Sequence, residues 1–108
     1  MQTLVQVFCT AGSSLREVIA DDPQLGKHSF VVSTEQKPGR KPGWLKLRSA
    51  EPDRRGAINV EWEGATHLLN CRIITTGGSR PNLIAGDCAE YLLARHRRRV
   101  QSIMVVPR

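Results

Sequence analysis

Two successive segments in the middle of this chain alternate apolar with polar residues and a third is almost continuously apolar, and that pattern restricts the fold more than any other feature. In residues 44–49, Leu45 and Leu47 fall on one side of an extended strand, with Trp44, Lys46 and Arg48 on the other. Residues 57–62 repeat the pattern, with Ile58, Val60 and Trp62 facing together. His67 to Thr76 is the longest strand candidate, and its nearly continuous apolarity predicts a central strand partly covered on both faces. Polar turns at 51–56 and 63–66 separate the three segments, the second of a length common in hairpins. Such a chain builds an antiparallel sheet.

The flanks add helices and further strands. Leu4, Val5, Val7 and Phe8 have helical spacing, so residues 3–10 read as a helix, although their composition is also rich in strand formers. Ser14 to Glu17 has the form of a capping box and opens a helix over 14–21. Residues 29–33 make a strand. Residues 36–43 hold two Pro-Gly pairs and form a loop with three positive charges, Lys37, Arg40 and Lys41, and no negative one. Beyond a turn at 77–81, the pattern predicts a short strand at 82–85 and a helix over 87–98 capped by Asp87 with Glu90 three residues on. A last strand follows at 102–106.

With 108 residues, the chain fits a single domain, 1–108. The fold class is α+β: an antiparallel sheet of about four to five strands packed against a C-terminal helix and one or two short N-terminal helices. The order helix, three strands, helix is also that of double-stranded-RNA-binding domains. Asp87 and Glu90 stand where those domains carry basic residues, so the chain is not assigned to them.

Composition bears on partners. Sixteen Lys and Arg against ten acids give a net charge of +6 and a pI near 9.9, the electrostatic footprint of many nucleic-acid binders. No apolar run is long enough to span a bilayer and the N-terminal residues lack the pattern of a signal peptide, so no membrane partner is expected. Cys9, Cys71 and Cys88 are odd in number and widely spaced, which suits buried thiols and a cytoplasmic location.

The densest charged feature is Arg95 to Arg99, with His96 between the arginines. On a helical wheel Ala89, Leu92, Leu93 and His96 share one side, while Tyr91, Arg95 and Arg98 form a stripe on another. Arginines pair with phosphates, and an aromatic ring beside them can stack on a base. Cations at a helix C-terminus also complement its dipole, which accounts for one or two of the arginines but less well for four. The second basic feature is the loop with Lys37, Arg40 and Lys41, followed by Trp44, Lys46 and Arg48. The expected function is a nucleic-acid-binding module that contacts the phosphate backbone with little base specificity. Its residues would be Lys37, Arg40, Lys41, Lys46, Arg48, Arg95, Arg97, Arg98 and Arg99, with Trp44 or Tyr91 stacking. The alternative is a protein-interaction module or small homo-oligomeric subunit, with the strand at 103–106 pairing to another sheet edge.

Chemistry-bearing patterns are thin, and neither an enzyme nor a cofactor is expected. Cys88 would lie at a helix N-terminus, where the dipole favours a thiolate, but the adjacent Asp87 opposes this. His67 and Cys71 fall on one side of a strand without the second ligand pair of a zinc site. The turn carboxylates Asp21, Asp22 and Asp53 are spaced as caps, and residues 77–80 lack the lysine and following helix of a phosphate loop.

Overall fold

Six strands form one antiparallel sheet in a computed structural model that describes residues 2–34, 45–75 and 80–107. In chain order the elements are β1 (Gln2–Cys9), α1 (Leu15–Ala20), β2 (Phe30–Thr34), β3 (Leu45–Ser49), β4 (Gly56–Glu63), β5 (Leu68–Thr75), α2 (Pro81–Arg95) and β6 (Val100–Pro107). Single 3-10 turns at Leu25–His28 and Arg97–Arg99 join them. The strand order is β2-β3-β4-β5-β1-β6, so β2 and β6 are the edges.

Residues 3–10 are a strand and not a helix. Thr3, Val5, Val7 and Cys9 are buried in strict alternation, and pairing to β5 on one side and β6 on the other makes β1 internal. Non-local pairing overrides the helical spacing of Leu4, Val5, Val7 and Phe8. The strand count is therefore six, above the four to five expected from the pattern. β5 is central as expected, but it is covered on one face only: Leu69, Cys71, Ile73 and Thr75 are buried, whereas Arg72 between them is exposed.

The expected 14–21 helix is α1, and the Ser14 hydroxyl accepts from the Glu17 amide at 3.4 Å. Residues 82–85 are helical, not a strand, because α2 begins at Pro81, whose fixed φ suits a first helical position. Asp87 accordingly caps nothing. It lies inside the helix and accepts from Arg54 Nε at 2.7 Å, tying the turn before β4 to α2. The helix ends at Arg95, three residues short of the expected end. Its inner stripe is Ile84, Ala85, Cys88, Tyr91 and Leu92, spaced three and four residues apart, and Leu93, expected on the inner side, is exposed instead.

Both helices lie on one face of the sheet, and the core fills the space between. Val5, Val7, Ile58, Val60, Leu69 and Ile73 supply its sheet side, and Leu15, Ile19, Ile84 and Leu92 its helical side. Gly56 lets α2 approach β4 closely. A Cβ there would stand 2.6 Å from Ile84 Cδ1 and 2.8 Å from the Ile74 carbonyl oxygen. No described helix is long and apolar enough to cross a membrane.

Candidate nucleic-acid interface

The basic helix end is largely committed to holding the fold. The Asp22 side chain is only 3% exposed and accepts from Arg95 Nη2 at 3.0 Å, Arg95 Nε at 3.2 Å and the Gln24 amide at 2.9 Å. Tyr91 is 2% exposed, and its hydroxyl donates to Asp22 Oδ2 at 2.8 Å. Its ring belongs to the inner stripe of α2, so the expected stacking role is corrected: Tyr91 offers no free face. His96 Nε2 lies 2.8 Å from the Tyr91 oxygen. The single phenolic proton goes to the carboxylate, so His96 Nε2 carries a proton and donates to Tyr91.

The titration of this cluster follows from its packing. Burial alone would raise the Asp22 carboxyl, but hydrogen bonds from Arg95, the Gln24 amide and Tyr91 outweigh it and hold Asp22 well below the usual carboxylate range. Burial and the bond to Asp22 push the Tyr91 phenol far up. Burial lowers His96, with Arg95 and Arg99 adding to the effect against the attraction of Asp22.

Arg99 is committed as well. Its guanidinium donates to the Ser13 carbonyl at 2.9 Å, the Thr10 hydroxyl at 3.2 Å and the Thr10 carbonyl at 3.3 Å, and it lies 5.8 Å from the Trp62 ring centroid. Arg97 and Arg98 are exposed in the 3-10 turn, without an acidic partner among the described residues.

A different basic group occupies the face of the sheet that the helices leave open. Side chains directly opposite one another in an antiparallel ladder share a face. Lys46 pairs with Asn59 and Asn59 with Arg72, so the three form a row continued by Leu4 and Val106. The adjoining row holds Arg48, Ala57, Ile74 and Gln2. Lys46 and Arg72 are thus about 10 Å apart at their Cα atoms, two inter-strand spacings. Among the described residues none of Lys46, Arg48 and Arg72 has an acidic partner. Arg72 also lines a pocket of about 80 Å³ with Gln2, Thr3 and Leu4. Glu61 and Glu63 lie on the same face toward the other end of the strands, beside Asn70, Gln6 and Leu68.

The alternation of 44–49 predicted the shared face of Lys46 and Arg48. Arg72 and Phe8 escaped sequence reading. Phe8 is 37% exposed on the open face, opposite Leu68 and Ser102. A strict two-residue period through Leu69, Cys71 and Ile73 would have revealed Arg72, had the apolar run not suggested two covered faces. Lys37, Arg40, Lys41 and Trp44 lie outside the described residues. The two basic groups do not form one surface: Lys46, Arg48 and Arg72 line the open face, while Arg97 and Arg98 sit where the helical layer passes into β6.

The three cysteines are free and buried. Burial raises the Cys9 thiol, and a hydrogen bond with Cys88 together with burial raises Cys71. Cys88 is in the body of α2, so a helix N-terminus does not activate it. Among the described residues no group of three His, Cys, Asp or Glu side chains is placed to hold a metal. Comparison with models of protein families, with curated proteins and with solved structures finds no match.

Proposed function

We propose that the protein binds nucleic acid through the phosphate backbone, on the open face of its sheet, with little base specificity. The observation that carries this reading is the row of Lys46 and Arg72 with Arg48 beside it, three cations on paired strands without acidic partners among the described residues. The amides of Asn59, Asn70, Gln2 and Gln6 around them donate to phosphate or sugar oxygens. Such contacts position a chain without reading its sequence. Phe8 supplies a ring for stacking roughly 14 Å along the strands, four residues from the level of Arg72. In the sequence, Lys37, Arg40, Lys41 and Trp44 precede β3 and would add three positive charges and a ring to the binding residues. Arg97 and Arg98 act as peripheral contacts. The binding requires no cofactor and no catalytic group, and three free thiols fit a reducing, cytoplasmic setting.

Fluorescence anisotropy with labelled single- and double-stranded DNA and RNA, over a series of salt concentrations, tests the reading. Affinity should fall with salt, with a slope of about 3 or more in the logarithmic plot, one unit for each phosphate neutralised. The pair Lys46→Glu and Arg72→Glu should weaken binding by at least about tenfold, and Arg97→Glu with Arg98→Glu by less. Binding that is absent at low salt, or indifferent to the Lys46 and Arg72 reversals, sinks the proposal.

A further inference from the structure

The two edges of the sheet are built differently. β2 spans five residues, and its pairing with β3 shifts register between Val32 and Thr34, a device that limits edge-to-edge pairing. β6 spans eight residues, and its pairing with β1 runs without a shift from Ser102 to Pro107. It carries no charged residue, in a chain of net charge +6. Its apolar side chains emerge on both faces. Val105 shares the helical face with Val5 yet is 51% exposed, and Met104 on the open face is also 51% exposed. Of the usual protections for an edge, β6 has a register shift at Gln101, between the Ser102–Phe8 and Val100–Cys9 pairs, and Pro107 at its last residue, so both lie at its ends and Ser102 to Val106 carry none.

We infer that β6 is a dimerisation edge, pairing antiparallel with β6 of a second copy of this chain about a two-fold axis perpendicular to the sheet. Two features favour a second copy as the occupant. Copies of a chain at +6 repel each other, and β6 is a full-length strand that lets them meet without opposing like charges across the ladder. The strand also complements itself. A two-fold pairing must set residues of one face opposite residues of the same face. Centred on Met104, it places Val105 against the partner's Ile103 and Met104 against the partner's Met104. The apolar rows on both faces then continue across the junction. The same axis leaves both open faces on one side, so the dimer presents a single twelve-stranded surface with two sets of Lys46, Arg48 and Arg72. The pairing itself does not depend on nucleic-acid binding.

Sedimentation velocity and light scattering, from low micromolar to several hundred micromolar protein, test this. The expected result is a concentration-dependent dimer, twice the 12.0 kDa of the chain. Val105→Lys and Met104→Lys, each adding charge to one side of the edge, should raise the dissociation constant by at least about tenfold while the circular dichroism spectrum stays unchanged. Leu83→Lys, at an exposed site on α2, should leave the dimer intact and serves as the control. With Met104→Cys, mild oxidation should trap a covalent dimer, since the native thiols are buried. A mass that stays at one chain at every concentration overturns the inference, as does a dimer that survives both lysine substitutions. Open-ended growth beyond two chains also overturns it, because a two-fold junction closes. A dimer that fails to bind nucleic acid would leave this inference standing and remove the functional reading alone.

Discussion

The two basic regions differ in what their charges are already doing. At the end of α2 and in the turn after it, four arginines follow closely in sequence, yet Arg95 is bound to Asp22, and Arg99 to Thr10 and Ser13 beneath Trp62. On the open sheet face the three cations come from two strands far apart in sequence and have no acidic partner among the described residues. The denser cluster in the sequence is therefore the less available one in space. A run of charge marks where cations are, and only the surrounding carboxylates and carbonyls decide whether they can meet a ligand.

The comparison can be broken at Asp22 first. Asp22→Ala removes the acceptor shared by Tyr91, Arg95 and the Gln24 amide, and should cost about 3 kcal/mol in denaturant unfolding, since a buried hydroxyl and a cation lose their partner. A loss well under 1 kcal/mol would mean the helix end is not held by this cluster, and its arginines would return as binding candidates. Arg99→Ala should cost about 1–2 kcal/mol through its lost hydrogen bonds and ring contact, against changes within about 0.5 kcal/mol for Arg72→Ala or Arg97→Ala. Equal costs across the three would erase the distinction between committed and available cations.

The smallest effect expected is in the pH profile. His96 is lowered in the folded state, so the unfolded chain takes up its proton first, near the ordinary value of about 6.5. Its contribution is complete above that pH and is lost as pH falls toward the lowered folded value. Asp22, also lowered, adds stability that is present above about 4 and disappears as pH falls further, through its folded value. Unfolding free energies measured from neutral to acid pH should therefore decline in two stages. His96→Gln should flatten only the upper stage, and an unaltered profile would place His96 outside the cluster that locks the helix end.

Much of the sheet is legible from local pattern. The alternation in 44–49 and 57–62 identifies β3 and β4, the polar 63–66 joins β4 to β5, and Ser14 marks the start of α1. Each of these signals lies within a few residues of what it determines. In the first segment Leu4, Val5, Val7 and Phe8 fit both periods, and only pairing with β5 and β6 selects the strand. At the start of α2, Asp87 imitates a cap, while its actual partner, Arg54, lies 33 residues earlier. Within the candidate site, Lys46 and Arg48 were readable as neighbours on one face. Arg72 joined them only through the register of β5 on β4.

The sequence by itself determined the class of fold, the net charge of +6 and the facing of its most regular strands, because side-chain alternation and capping act over one or two turns of backbone. Only the tertiary structure decided which face of the sheet stays open, which strand becomes an uncharged edge and which arginines are already taken. Those outcomes depend on pairings between residues many positions apart. The cost of ordering such contacts is met by burial of a core to which the whole chain contributes, and no local pattern encodes that sum.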